Sequence, residues 1–461
     1  MSYIDFSAII LAAGRGNRML SDIPKVLHQI GGKFMLQHLI DSVIKVGVKS
    51  IYVVYGYKGE MIKKKINADQ YKIPVYWILQ NELIGTGDAV RRVLPIFGDR
   101  EEILVLYGDV PFVSYQTLRQ LHAIKSQCDI SMLTATLPNP KGYGRIIRNQ
   151  EGNVVDIIEH NDIINDDHNK IKEVNTGIFI AISGHLKHWL SALTAHKLNN
   201  EFYLTDIVKI AHQSGYIIHT MCPADLFEIM GVNSKLDLVD LDKQYQQRKI
   251  QCFLLSGLMI ADPNRFNLRG NLVHGKDVYI DINVIIEGHV SLGNRVKIGA
   301  SCILKDTVVE DDVEIYPFSI IENTKISLQS KVGPFVRLRP GTELKKKSHV
   351  GNFVEIKNTQ LGEKSKVKHL SYLGDANIGD QVNIGAGTII CNYDSIKKHH
   401  TIIGDDVFIG ADSQLIAPIT IGKNATIGAG TTVTRDVPPG ETIISRIRQF
   451  SILNWKKRSK K

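Results

Sequence analysis

The chain has 461 residues, 43% hydrophobic and 22% charged, ordinary values for globular protein but too many residues for one core, so two or three domains are expected. Its net charge of +9 invites a nucleic-acid reading, yet the tail Lys456–Lys461 supplies +5, leaving +4 for the other 455 residues; with no aromatic-interleaved basic stripe, nucleic-acid binding is set aside and the tail is expected to be a solvated, disordered end. Five scattered cysteines (Cys128, Cys222, Cys252, Cys302, Cys391), none in CxxC spacing, argue against a disulfide frame or a metal cage and fit a reducing cytoplasm.

The first apolar run, Phe6 to Ala13, is short, contains Ser7 and follows Asp5. It reads as a buried strand, and no membrane insertion is expected. Further apolar runs at 50–56, 75–80 and 103–109 alternate with amphipathic segments, which predicts βαβ units, a Rossmann-like α/β domain and a mostly parallel sheet. Ligands of such sheets bind beyond the carboxyl ends of the strands.

The first strand runs into Leu11-Ala12-Ala13-Gly14-Arg15-Gly16-Asn17-Arg18-Met19, and Pro24-Lys25 follows. Small residues there let backbone N–H groups approach phosphate oxygens. The third glycine of a dinucleotide fingerprint is missing, and so is the GK[ST] ending of a P-loop. What remains is a glycine-rich turn with two cations, Arg18 and Lys25, suited to a triphosphate. Taken alone, both cations also read as ordinary surface charge.

Residues 234–256 are expected to be a linker helix between a first domain (1–233) and a last one (257–461). Ser234 can cap it, and Leu238, Leu241 and Tyr245 share a face. Beyond it the chain keeps a six-residue period. Val278, Val284, Val290, Val296, Cys302 and Val308 fall six apart, with Ile280, Ile286, Leu292, Ile298 and Leu304 two places behind. After an irregular stretch the beat returns as Leu373-Gly374, Ile378-Gly379, Ile384-Gly385, Ile403-Gly404, Ile409-Gly410, Ile421-Gly422 and Ile427-Gly428. Such units cannot bury their apolar side alone and must stack as a parallel β-helix. Between the hexad blocks lies a polar constellation around Arg337–Gly341, Gly351–Lys357 and Lys368–Asp375, followed by Asn383 and Asn392-Tyr393.

The glycine-rich turn with Pro24-Lys25-Val26-Leu27 resembles the signature of sugar-1-phosphate nucleotidyltransferases. So do Gln80, Gly85-Thr86-Gly87, Tyr107-Gly108-Asp109, Gly142-Tyr143-Gly144-Arg145, Glu159, Asn175-Thr176-Gly177, Tyr203-Leu204-Thr205-Asp206 and Gly231-Val232-Asn233. In that order, and joined to the hexads, the chain is similar to the bacterial bifunctional UDP-N-acetylglucosamine pyrophosphorylase/glucosamine-1-phosphate N-acetyltransferase family. The resemblance implies a nucleotidyltransferase domain, a linker helix and a left-handed β-helix of hexapeptide repeats. It implies that glucosamine-1-phosphate is acetylated from acetyl-CoA and that UMP is then transferred from UTP, with Mg²⁺ as cofactor, in a homotrimer whose product feeds envelope polymers.

By the same resemblance, Leu11, Ala12, Ala13, Gly14, Tyr107 and Gly108 belong to the uridylyl site, where Arg18 and Lys25 face the triphosphate. Gln80, Gly85 and Thr86 read uracil; Gly144, Glu159, Asn175 and Thr205 hold the sugar; Asp109 and Asn233 hold Mg²⁺. Asp109 alone also fits a structural turn cap. An amine that is protonated at neutral pH needs a base with a pKa near ~6.5, and His369 sits where the family places it. Arg339 and Lys357 would bind the sugar phosphate, Tyr372 and Asn383 the sugar; Glu355 could orient the imidazole. Acetyl-CoA would lie along Ala386, Asn392, Tyr393, Ala411, Ala429 and Arg446. Position 411 carries Ala where the family pattern has Ser. No covalent acyl-enzyme is implied, with Cys391, beside Asn392, the one cysteine to check. A second reading keeps only uridylyl transfer, with the β-helix as a trimerisation scaffold, and a third changes the base or the sugar.

Overall fold

The computed structural model describes residues 6–163, 166–196, 200–453 and 455, so the basic tail lies outside the described residues. The chain divides into two compact units, Met1–Gln244 and Tyr245–Lys461. In the first, strands β1 (Phe6–Ala12), β2 (Ile51–Tyr55), β3 (Val75–Leu79), β4 (Glu102–Tyr107), β5 (Ile130–Thr136), β6 (Arg145–Arg148), β7 (Val154–Ile158), β8 (Glu173–Ile182) and β9 (Ile218–Met221) form one nine-stranded sheet. Its order is β9-β5-β8-β4-β1-β2-β3, with β6 paired to both β8 and β7.

The block β4-β1-β2-β3 is parallel, as the alternating apolar runs predict. Strand β8 runs antiparallel to both β4 and β5, so the parallel sheet carries an antiparallel strand at its centre. Burial on both faces demands the same apolar run whichever way a strand points. Residues alternate across the sheet: Ile10, Val53 and Leu104 pack with Leu36, Leu39, Ile40 and Val43 of the helix Met35–Val46. Ile9, Val54 and Val105 pack on the other face with Leu186, Trp189 and Leu190 of the helix Ser183–Ser191. Each such side chain contributes about 1.5–3 kcal/mol when fully buried. The chain ends of β1 and β4 stay together, because Gly108 N–H donates to the Leu11 carbonyl at 2.9 Å. That pairing brings the glycine-rich turn beside Asp109.

The helix Lys235–Leu255 is capped at its start by the Ser234 hydroxyl, which accepts from Asp237 N–H at 3.2 Å. Asp237 in turn accepts from the N–H groups of Asn233 and Ser234, both at 2.9 Å. Within the second unit, Gln246 acts as a substitute strand: its amide accepts from Leu268 N–H (2.9 Å) and donates to the Leu268 carbonyl (2.7 Å).

The second unit is a parallel β-helix, its strands assembled into an 11-stranded and a 15-stranded sheet. Ile280 lies opposite Ile298 and Ile285 opposite Ile303, an advance of 18 residues, or three hexads, per coil. The predicted hexad residues fill one continuous core, with one exception. Val308 is 45% exposed, and Thr307 and Val309 are buried on either side of it, because this coil advances by 17 residues and pairs Ser291 with Val308. The irregular stretch of the sequence is also coiled: Phe318, Phe335 and Phe353 stack at successive corners, centroids 5.0 and 5.2 Å apart, all in the left-handed region. A later coil is longer. Ala376 pairs with Thr401 and Asn383 with Phe408, an advance of 25 residues that throws out a corner loop around 392–400.

Candidate active sites

A cleft of about 790 Å³ opens in the first unit beyond the carboxyl ends of β1 and β4. Of the predicted residues, Ala13, Gly14, Arg18, Gln80, Gly85, Thr86, Tyr107 and Glu159 line it. Leu11 and Ala12 are buried in the strand end that supports it. At one side an ion cluster gathers side chains far apart in sequence. Lys25 Nζ donates to Asp109 Oδ2 and, at 3.3 Å, to Asn233 Oδ1. Arg18 Nη2 reaches the same Asn233 oxygen at 2.8 Å. A carboxylate and an amide oxygen thus converge on one cation, here the Lys25 ammonium. That pair of hard oxygen donors fits Mg²⁺, which takes one or two protein oxygens and keeps phosphate and water for the rest. Among the described residues no cluster of three or more His, Cys, Asp or Glu is placed to hold a metal.

The far end of the cleft is built around β8. Its register slips between Asn175 and Phe179, and a bulge of this kind re-aims side chains. Asn175 Oδ1 accepts from Gly177 N–H at 2.9 Å. Asn175, Thr205 and Tyr107 line a small adjoining cavity. Thr205 donates to Glu159 Oε1 at 2.9 Å, and Gly144 lies close against the same carboxylate. Burial pushes the Glu159 carboxyl upward, offset in part by the Thr205 hydroxyl, with Asp162 and Asp206 adding to the rise. Burial, and secondarily the Glu159 charge, also drive the Tyr107 phenol upward, keeping it a hydrogen-bond donor.

The loop carrying Gly85 and Thr86 is zipped to the loop carrying Thr205. Phe202 N–H donates to the Ile84 carbonyl (2.8 Å), Gly87 N–H to the Phe202 carbonyl (2.9 Å), and Leu204 N–H to Thr86 Oγ1 (3.1 Å). Gly85, at φ +111°, lies so close to Phe202 that a Cβ would fall 2.4 Å from its carbonyl oxygen. Sequence reasoning singled out neither Phe202 nor Asp88; Asn161 and Glu201 also line the cleft.

On the β-helix, Glu355 lies opposite Tyr372 and Lys357 opposite Gly374. The Tyr372 hydroxyl and the Asn392 amide close over Gly374, where a Cβ would sit 2.6 and 2.7 Å from them. Beneath, Asp375 accepts from Asn358 Nδ2 (2.7 Å) and Asn392 Nδ2 (2.5 Å). Burial works to raise the Asp375 carboxyl, but those two amides and the Lys357 and Lys398 charges hold it below its ordinary value. Lys398, on the corner loop, presses on Lys357 and lowers the Lys357 pKa. It joins Lys357 and Arg339 in a cationic group that sequence reasoning left at two members. Glu355 is engaged with Arg339, accepting from its Nη1 at 2.8 Å.

His369 and Asn383 stand in the other sheet. His369 is exposed, and its carbonyl accepts from Gly387 N–H at 3.3 Å, which sets it beside Ala386. From there the predicted thioester track climbs coil by coil. Asp412 N–H donates to the Ala386 carbonyl (2.7 Å), and Gly430 N–H to the Ala411 carbonyl (2.8 Å). The coils meet closely along it: a Cβ on Gly410 would fall 2.4 Å from Ala429 N. Ala411, Ala429, Tyr393 and Arg446 are all exposed. Cys391 pairs opposite Ile416 in a strand, and burial pushes the Cys302 thiol up to about 11, so that thiol stays protonated.

Family models match a segment of each unit. Residues 8–147 match the MobA-like NTP transferase domain family, and residues 400–435 match the bacterial transferase hexapeptide (six repeats). The solved structure of a UDP-glucose pyrophosphorylase complexed with UDP-glucose covers 53% of this chain and 100% of its own, at 18% identity and a TM-score of 0.44. The Bifunctional protein GlmU of Baumannia cicadellinicola subsp. Homalodisca coagulata is 55% identical over 100% of this chain and 98% of its own. That of Blochmanniella pennsylvanica (strain BPEN) is 85% identical over 99% of each. Identity of that order along the whole length leaves neither unit outside the relationship, and the chain belongs to the GlmU family of bifunctional proteins.

Proposed function

We propose that the chain makes UDP-N-acetylglucosamine in two steps, acetylating glucosamine-1-phosphate on the β-helix and uridylylating the product in the α/β unit, in a reducing cytoplasm. The observation that carries the reading is the pairing, on one chain, of two oxygens converging on a cation beside a nucleotide-sized cleft with a separate cationic acceptor group on the β-helix.

In the first step the amine attacks the acetyl-CoA carbonyl, the C–S bond breaks, and the CoA thiolate leaves. His369 accepts the amine proton, Arg339 and Lys357 bind the sugar phosphate, and Tyr372 and Asn383 orient the ring. Ala386, Asn392, Tyr393, Ala411, Ala429 and Arg446 receive acetyl-CoA, Arg446 at an anionic phosphate. His369 and Asn383 stand in one sheet and Lys357 and Tyr372 in the other, with Arg339 just past the strand Arg337–Leu338. The reading therefore places the acceptor between copies of the chain in a homotrimer, the assembly usual for hexapeptide coils.

In the second step a sugar-phosphate oxygen attacks the α-phosphorus of UTP and pyrophosphate leaves. The nucleophile is already largely dianionic, since its second pKa is near ~6, and needs no protein base. Alignment and charge neutralisation are what the site must supply. Arg18 and Lys25 face the triphosphate, and Gln80, Gly85 and Thr86 take the base. Gly144, Glu159, Asn175 and Thr205 hold the sugar. Mg²⁺, held by Asp109 and Asn233, would add charge neutralisation at the phosphates.

Mass spectrometry of products from glucosamine-1-phosphate, acetyl-CoA, UTP and Mg²⁺ tests both halves at once. UDP-N-acetylglucosamine with free CoA is expected. Product that appears only when N-acetylglucosamine-1-phosphate is supplied would reduce the β-helix to a scaffold.

A further inference from the structure

Gln80 is 3% exposed yet lines the cleft, and its amide has a fixed direction. The Nε2 group donates to the Gly85 carbonyl at 3.0 Å and to Asp88 Oδ2 at 2.9 Å. Both partners accept only, so turning the amide over would set its oxygen against a carbonyl and a carboxylate. The orientation follows from chemistry rather than from an assignment of N against O. Asp88 is itself 7% exposed and held in place, because Arg92 Nε donates to the same Oδ2 at 2.8 Å. With both amide hydrogens committed, the Gln80 carbonyl oxygen is left toward the cleft, with no donor from the protein among the described residues.

We propose that Asp88 is a specificity-determining positioning residue: by locking the Gln80 amide it makes the base subsite a lone acceptor, which selects a pyrimidine with an imide N3–H over one whose N3 is a bare acceptor. Uracil presents that N–H; cytosine presents a lone pair, which would face the carbonyl oxygen with no proton between them. A buried polar group left unpaired, or set against a like group, is penalised, so the lock should govern the preference for UTP over CTP by about tenfold, which corresponds to ~1.4 kcal/mol. Were the amide free to turn, its NH₂ would serve cytosine equally well. The inference rests on Gln80 reading the base, which the proposed function includes.

The test is the ratio of kcat/KM for UTP over CTP in pyrophosphate release by the full chain with N-acetylglucosamine-1-phosphate and Mg²⁺. Asp88→Ala should lower that ratio about tenfold or more, with CTP gaining relative to UTP. Asp88→Asn keeps one oxygen able to accept from both Gln80 and Arg92, and should restore the ratio to within about threefold. A merely structural defect slows both nucleotides alike and leaves the ratio unchanged, and that result overturns the proposal. If Asp88→Ala does not fold, Asp88→Ser, whose hydroxyl can donate as readily as accept, carries the same prediction and the same contrary outcome. Gln80→Ala separates the two levels. A ratio unmoved by Gln80→Ala defeats the base-reading role on which the inference stands. A ratio that collapses in Gln80→Ala but holds in the Asp88 variants defeats the lock alone.

Discussion

The Thr205 hydroxyl donates at 2.9 Å to the carboxylate of Glu159, a group whose burial raises its pKa in the folded protein. A raised folded value means that the protonated acid is the form the fold prefers. Its favourable contribution is complete below the unfolded carboxyl value near ~4.3 and is lost as pH rises through the folded one. At neutral pH the ionised carboxylate therefore weakens the fold. Glu159→Gln should raise Tm at pH 7.5, and thermal melts should show the gain shrinking as the pH falls below the folded value. The same variant should raise KM for the sugar phosphate about tenfold, the scale of a lost hydrogen bond to a charged group.

Asp109 and Asn233 share one cation. Asp109→Asn keeps the shape but removes the only formal negative charge of the pair. Uridylyl transfer should fall about 10²–10³-fold, the usual scale for removing one electrostatic contributor. Titrating Mg²⁺ should show a shifted requirement, while acetyl transfer assayed on the same preparation stays near wild type.

His369→Ala should lower acetyl transfer by about 10²–10⁴-fold, the span general-base catalysis supplies, and leave uridylyl transfer unchanged. Separate assays of free CoA and of pyrophosphate read the two activities. Loss of both would make the residue structural instead.

Gly374 has no room for a methyl group beneath Tyr372 and Asn392. Gly374→Ala should destabilise the chain by about 1–3 kcal/mol, as overpacking does, and should cost acetyl transfer more than uridylyl transfer. Denaturant melts and the paired assays measure the two effects.

The corner loop hangs on Asp394, which accepts from His399 Nε2 (2.6 Å) and from the N–H groups of Lys397 (2.7 Å) and Ile396 (2.8 Å). Those bonds, His399 first, hold the carboxyl well below the usual range. Its contribution is present above the unfolded value near ~3.9 and is lost as pH falls through the folded one. Asp394→Asn should speed amide exchange across 393–399 at neutral pH and lower acetyl transfer severalfold, because Tyr393 and Lys398 ride on the same loop.

The hexads, the apolar strands and the cleft-lining turn were legible because each is a local periodicity with one physical cause. Val278 through Cys302 are buried as the period requires, while Val308 is not. Dropping one residue from a coil leaves the composition untouched and moves the inward positions to Thr307 and Val309. The antiparallel course of β8 and the bulge at Asn175 were illegible for a related reason: strand direction and register depend on partners elsewhere in the chain. Asp88 and Lys398 escaped notice because each matters only through a neighbour, Gln80 in one case and Lys357 in the other. A side chain that positions another carries no spacing signature of its own.

The coil that advances by 25 residues instead of 18 returns to the ladder in phase: Ile378 still pairs with Ile403 and Ile384 with Ile409. A β-helix of this kind is a rail on which length can be inserted at a corner without disturbing the coils on either side, since loop closure grows only slowly with length. New chemistry can accordingly be gained or exchanged by grafting at that corner alone. The loop from 393 to 400 is then a replaceable cassette, and chimaeras that trade it between relatives should keep the rail intact.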